Sequence, residues 1–217
     1  RIIASLSNEE NMLEDFRNGL DIHSATASRV YGIPIEEVTP EMRRNAKMVN
    51  FGIVYGISAF GLSERLNITR KEAAAIIDQY FKKYPGIKNY MENIINFARK
   101  NGYVQTILGR KRYLNDINSA NFNQRGFAER NAINAPIQGS SADMIKIAMI
   151  NIHKEFKTNN LQSKLIMQVH DELVFDIFKP ELDKAKEIIV NEMKNALPLS
   201  SSIEVEVNIG NNWLEAH

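Results

Sequence analysis

Arg43, Lys47, Phe51 and Tyr55 stand at successive four-residue steps in the stretch PEMRRNAKMVNFGIVYG, residues 40–56. On an α-helix such residues lie above one another on a slowly drifting stripe. One stripe then carries two cations at its N-terminal end and two rings at its C-terminal end. Cations neutralise phosphates, and a flat ring stacks on or walls off a sugar and base. The stripe has the dimensions and chemistry to hold a nucleoside triphosphate lengthwise. The same spacing also suits an ordinary helix with two core rings and a solvated cationic end. Gly52 and Gly56 weigh toward the first reading. Each costs about 1 kcal/mol relative to alanine inside a helix, so two of them point to a close approach or a bend.

A second constellation is the acidic turn His170-Asp171-Glu172 between two apolar, β-prone runs, Leu165–Val169 and Leu173–Ile177. Neighbouring strand residues face opposite ways, so Asp171 and Glu172 do not chelate one ion together from a regular strand. A tight turn leaves Asp171 free to offer oxygen to a hard cation such as Mg²⁺, which takes one or two carboxylates, several waters and substrate phosphates. Two such ions about 4 Å apart clamp an in-line displacement at phosphorus. By itself an acidic hairpin turn is equally a solvated turn.

The elements that must position these groups are legible along the chain. Ser7 with Glu10 three residues on predicts a helix over 8–19, ended at Gly19. A helix over 21–31 follows, stopped by Gly32 and Pro34. Thr39 caps the stripe's helix, with Pro40 at its first position. A short helix over 58–67 precedes one capped by Thr69 and Glu72 that runs to Tyr84. Pro85-Gly86 reads as a turn, and 87–101 as an amphipathic helix. Tyr103–Leu114 reads as a short hairpin whose turn carries Arg110, Lys111 and Arg112. Helices over 119–132 and 135–157 are expected, with Pro136 breaking them apart. Gly139, Ser140 and Ser141 leave room for another backbone or a nucleic-acid strand. After the acidic hairpin come a helix over 180–197 and a half-buried strand over 203–209, which alternates strictly. The fold class is therefore α+β with an antiparallel sheet.

The bulk properties bound the function. At 217 residues the chain can bury a real core. It has no cysteine, which removes disulfides and thiolate metal sites and suits a reducing, cytoplasmic compartment. No apolar run approaches a membrane span. The net charge of +1 conceals an asymmetry: residues 82–130 hold ten Lys/Arg against three Asp/Glu, and residues 171–217 hold four against ten. A basic middle and an acidic end fit a protein that grips a polyanion with one part and metal cations with another; ordinary surface clustering gives the same numbers.

Three motifs, RRNAKMVNFGIVYG at 43–56, NAPIQGSSAD at 134–143 and QVHDELVF at 168–175, together resemble family A DNA polymerases, the bacterial DNA polymerase I group, over essentially the whole chain. The resemblance implies a right-hand architecture, with 1–20 a palm remnant, 21–135 the fingers and 136–217 the palm. It implies that Arg43, Lys47 and His23 hold the triphosphate, with Lys47 also donating a proton to the leaving pyrophosphate. Phe51 would pack against the incoming sugar and base and set dideoxynucleotide rejection, and Tyr55 would test base-pair shape. Arg130, Asn134, Gln138 and His170 would contact primer and template. Asp171 would be a catalytic metal ligand, with Glu172 a supporting carboxylate. The implied partners are primer-template DNA and dNTP, the implied cofactor is Mg²⁺, and the implied state is a monomer without membrane association.

One departure matters. The family's other palm strand, Asp-Tyr-Ser-Gln-Ile-Glu-Leu-Arg, carries a second metal-binding aspartate, and Arg1 matches only its last residue. The chain thus reads as part of a longer enzyme and, alone, as inactive. Two other readings are a nucleic-acid-binding module without chemistry and a phage-type single-subunit RNA polymerase; Phe51 and the His170-Asp171-Glu172 turn favour DNA polymerase.

Overall fold

A computed structural model describes residues 1–216. Helix accounts for 64% of the chain, and two small antiparallel sheets complete it. The chain divides into two compact units, Arg1–Ser140 and the residues from Ser141 onward.

The first unit holds α1 (Ile2–Ser7), α2 (Glu10–Arg17), α3 (Ile22–Tyr31), α4 (Pro40–Val54), α5 (Ala59–Leu66), α6 (Arg70–Lys83) and α7 (Pro85–Asn101). A hairpin of β1 (Tyr103–Gln105) and β2 (Lys111–Tyr113) follows. The helix starts are made locally. Thr39 Oγ1 accepts from the Met42 N–H at 3.2 Å, with Pro40 at the first position. Thr69 and Glu72 form the expected reciprocal box. The core gathers Met12 and Leu13 of α2, Val49 and Ile53 of α4, Leu62, Ala73, Tyr80, Tyr84 and Ile87. A smaller cluster of Ala98, Val104, Leu114, Ile117, Ala128 and Ala132 joins α7, the hairpin and the start of α8 (Phe122–Thr158).

The second unit holds the rest of α8, then β3 (Lys164–Val169), β4 (Glu172–Asp176), α9 (Leu182–Lys194) and α10 (Trp213–Ala216). Its core is Ala148, Ile152 and Phe156 of α8 with Ala185 of α9 and Ala196, against which Leu173, Phe175 and Ile177 pack.

Four local expectations are corrected. Pro136 does not break its helix: α8 runs unbroken through it for 37 residues. Proline inside a helix costs about 3 kcal/mol, and here Ala128, Ala132, Ile133 and Pro136 itself are each buried. Ser7 does not cap α2, because its hydroxyl donates back to the Ile3 carbonyl at 2.7 Å. Glu9 takes the cap and also accepts from the Gly86 N–H at 2.7 Å, a partner that no local pattern reveals. Pro85 is the first residue of α7 rather than part of a separate turn. Residues 203–208 alternate between half-buried and exposed as expected, but Ile209 is exposed and no ladder forms. Alternation marks a face; a strand also needs a neighbour, and β3 and β4 pair only with each other.

Candidate functional site

α4 presents the expected stripe to solvent. Its opposite face buries Ala46, Val49, Asn50 and Ile53. Arg43 and Lys47 are exposed, and Phe51 and Tyr55 remain 49% and 47% exposed. Large rings left this open on a well-packed helix are available to a ligand. Tyr55 is the residue that ends the helix, and Gly56 follows with φ 68°.

The two glycines serve the chain itself. A Cβ on Gly52 would stand 2.8 Å from the Ile57 side chain, which folds back over the helix end. A Cβ on Gly56 would stand 2.8 Å from Cγ of Arg130. The close approach inferred from the sequence is real, and the approaching groups are internal. The same holds at Gly139, where a Cβ would meet Thr106 at 2.5 Å. There the turn after β1 lies against α8: Ser140 Oγ accepts from the Ile107 N–H at 3.0 Å, and Arg110 donates to the Gly139 carbonyl at 3.0 Å. Of the three cations expected in that turn, Lys111 and Arg112 instead belong to β2, where Lys111 lies 4.4 Å from the Tyr103 ring centre and Arg112 donates to Asn131.

Asp21, the N-cap of α3, grips Arg43 with both oxygens, at 2.9 Å to Nε and 2.8 Å to Nη2. That hydrogen-bonded guanidinium holds the Asp21 carboxyl well below the usual carboxylate range. The pair is formally neutral, which leaves Lys47 as the stripe cation with no ion pair among the described residues.

His23 sits in the first turn of α3, half-buried, with its ring 6.0 Å from that of Phe51. Burial lowers its pKa, the Asp21 charge raises it, and the charges of Arg43 and Lys47 lower it again, for a net lowering. The ring is therefore neutral around neutral pH.

α8 brings a second row to the same end of α4. Arg130 lies over Gly56, and Gln138 donates to the Tyr55 hydroxyl at 3.3 Å. Between them the Oδ1 of Asn134 is buried without a hydrogen-bond partner among the described residues. A buried acceptor left unpaired costs about 1–3 kcal/mol. The structure thus unites His23, Arg43, Lys47, Phe51, Tyr55, Arg130, Asn134 and Gln138 in the first unit.

The acidic turn belongs to the second unit. β3 and β4 pair from Lys164↔Asp176 to Val169↔Glu172, so His170 and Asp171 form a two-residue loop. His170 takes φ 53°, a left-handed value that tightens the reversal. His170 and Asp171 are exposed, and Glu172 is half-buried in the first pair of β4. Among the described residues nothing engages the Asp171 carboxylate.

Two residues of the site carry no signal in stripe spacing. Asp21 is an ordinary helix cap by sequence, and its pairing with Arg43 spans 22 residues. Asn50 is a polar residue on the buried face of an amphipathic helix, which is the visible sign that it has a partner.

The sequence signature of DNA polymerase family A matches residues 1–215, and the chain belongs to that family. It is 53% identical over 215 residues to DNA polymerase I of Caldicellulosiruptor bescii, covering 99% of this chain and 25% of that protein. It is 52% identical to the Lactococcus lactis subsp. lactis enzyme over 217 residues, and 47% identical to that of Bacillus subtilis over 216. Each comparison covers 100% of this chain, and 25% and 24% of those proteins respectively. The chain therefore spans about a quarter of the length of the curated relatives it matches. Among solved structures it superposes on the POL domain of Pol1 from M. smegmatis, in complex with DNA primer-template and dNTP, with a TM-score of 0.96 and 44% identity, covering 99% of this chain and 38% of that one. The α+β fold is thus that of a family A polymerase domain.

Proposed function

We propose that this chain is the nucleotide-binding and catalytic part of a longer DNA-directed DNA polymerase, which transfers a nucleotidyl group from dNTP to a primer 3′-hydroxyl. The observation that carries this reading is the solvent-facing row of α4, with Lys47 and the paired Arg43 below and Phe51 and Tyr55 above, in a chain of DNA polymerase family A. In this reading residues 21–135 act as the fingers, and 136–217 with 1–20 belong to the palm. The triphosphate lies along α4, with its phosphates at Arg43, Lys47 and His23. Phe51 closes on the sugar and base, and Tyr55 stands beneath the nascent pair. Arg130, Asn134, Gln138 and His170 bear on the primer and template.

In the reaction the primer 3′-hydroxyl gives up its proton to solvent, its oxygen forms a bond to the α-phosphorus, and the bond from that phosphorus to the bridging oxygen breaks. Pyrophosphate leaves with a proton from Lys47. Most of the rate comes from positioning and charge neutralisation, since phosphoryl transfer needs little covalent help.

Asp171 offers one exposed carboxylate, and among the described residues no three His, Asp or Glu side chains gather into a closed cage. That donor set fits Mg²⁺, which shares its shell between one or two carboxylates, water and substrate phosphates. Asp171 would hold the ion, with Glu172 in support. When bound, such an ion supplies charge that offsets the phosphates and favours the attacking alkoxide.

Phe51→Tyr tests the placement of the nucleotide. A phenol beside the sugar can replace the hydrogen bond that a missing 3′-hydroxyl no longer makes. Primer extension by the polymerase carrying this chain is expected to need dNTP and to discriminate against ddNTP. The variant should reduce that discrimination by at least about tenfold, the effect of one such hydrogen bond. No dNTP-dependent extension, or an unchanged ratio of kcat/KM for the two substrates, would refute the reading.

A further inference from the structure

Behind the α4 row lies a buried line of polar groups that runs Arg29, Tyr84, Thr26, Asn50, His23. Tyr84 is fully buried, and Asn50 is 9% exposed. Thr26 Oγ1 lies 3.2 Å from the Tyr84 hydroxyl, 3.0 Å from Asn50 Nδ2 and 2.7 Å from the Ile22 carbonyl. Asn50 Nδ2 lies 3.1 Å from Nδ1 of His23.

The polarity of this line follows from its two fixed ends. Arg29 has only donors to offer: it donates to Asp15, and its positive charge acts on the Tyr84 oxygen, which turns the hydroxyl proton away from it. The Tyr84 proton is then left for Thr26. Thr26 Oγ1 has two acceptors in reach, the Ile22 carbonyl at 2.7 Å and Asn50 Oδ1 at 3.3 Å, and its proton goes to the nearer. Thr26 therefore accepts from Asn50 Nδ2 at 3.0 Å, the nearer of the two amide atoms since Oδ1 lies at 3.3 Å, and the same nitrogen stands 3.1 Å from Nδ1 of His23. An amide donor at Nδ1 requires a lone pair on that nitrogen. In a neutral imidazole the proton then sits on Nε2, the nitrogen turned away from Asn50.

We infer that Asn50 is a positioning residue that locks His23 as the Nε2–H tautomer, so that the neutral ring presents a donor, and never a lone pair, to a phosphate oxygen lying along α4. This inference rests on the phosphate site proposed above. It explains how a histidine that is uncharged at working pH can still bind an anion. The opposite tautomer would set a lone pair against phosphate. The charged groups facing the ring are Asp21 on its own helix and Arg43 and Lys47 on α4.

Long-range proton–nitrogen correlation of the histidine rings tests it on the 217-residue chain, with His23 assigned by its loss in His23→Gln. At about pH 8 and without ligand, the unmodified chain should show His23 with a protonated Nε2 and an unprotonated Nδ1. Asn50→Asp, near in shape but only an acceptor, should move the proton to Nδ1. It should also weaken tripolyphosphate binding, measured in EDTA, by about tenfold at that pH, the effect of one charge-assisted hydrogen bond. The deficit should vanish at a lower pH at which the same spectra show the ring doubly protonated, since it then donates from both nitrogens whatever stands at position 50. A protonated Nδ1 or a tautomer mixture in the unmodified chain would overturn the inference, as would a deficit equal at both pH values. Tripolyphosphate that leaves the His23 and Lys47 signals unmoved would instead overturn the phosphate-site reading, while the ligand-free spectrum still decides the tautomer.

Discussion

Asp171→Asn in the polymerase that carries this chain should lower primer extension at least about a thousandfold, because a lost metal ligand removes several kcal/mol of transition-state charge stabilisation. The amide keeps the size of the side chain and gives up the formal charge. Asp171 is exposed in a two-residue loop, and among the described residues no side chain depends on its carboxylate. The substitution should therefore move stability by no more than about 0.5 kcal/mol. Affinity for primed template, measured in the same preparation, should hold within about twofold. Steady-state extension kinetics with a parallel DNA-binding titration make the separation. Retained synthesis would remove Asp171 from the metal site, and lost DNA binding would assign it to the template instead.

Lys47→Ala should cost about 3 kcal/mol in the transition state, a drop of roughly a hundredfold or more in kcat. The structure explains why this cation outweighs its neighbour. Asp21 already offsets Arg43 through a two-pronged ion pair, whereas Lys47 has no ion pair among the described residues along the same row. The charge on the leaving pyrophosphate develops during the reaction, so most of the loss should fall on kcat and less on KM. Single-turnover incorporation at saturating dNTP measures it. An unchanged rate would exclude Lys47 from the chemistry, and a change confined to KM would reduce it to a ground-state contact.

The α4 row was readable because every signal that makes it is local. Thr39, Pro40 and the four-residue spacing fix the start, the phase and the exposed face of one helix. The glycines were harder to read. Gly52 and Gly56 announced a close approach, but only the folded chain shows that Ile57 and Arg130 supply it. Pro136 misled for a related reason, since its local cost is outweighed by the burial around it. Glu9 displaced Ser7 as a cap through Gly86, a residue 77 positions away. Residues 203–208 kept the alternation of a strand without a partner to ladder with. Asn50 was visible only as a polar residue on a greasy face, and its meaning depends on Thr26, Tyr84 and Arg29, which belong to other elements. The acidic turn was read correctly as a hairpin tip because its two flanking runs are contiguous in sequence.

The most direct measurement of the account is a map of which end of a nucleotide meets which end of α4. Two photoreactive dATP analogues, one with the azide on the base and one with it on the γ-phosphate, can be cross-linked to this chain and the labelled peptides located by mass spectrometry. The base probe should mark Phe51 and Tyr55, and the phosphate probe should mark His23 and the Arg43–Lys47 turn. Labels in the reverse order, or both probes landing away from α4, would contradict the proposed binding of the triphosphate along this helix.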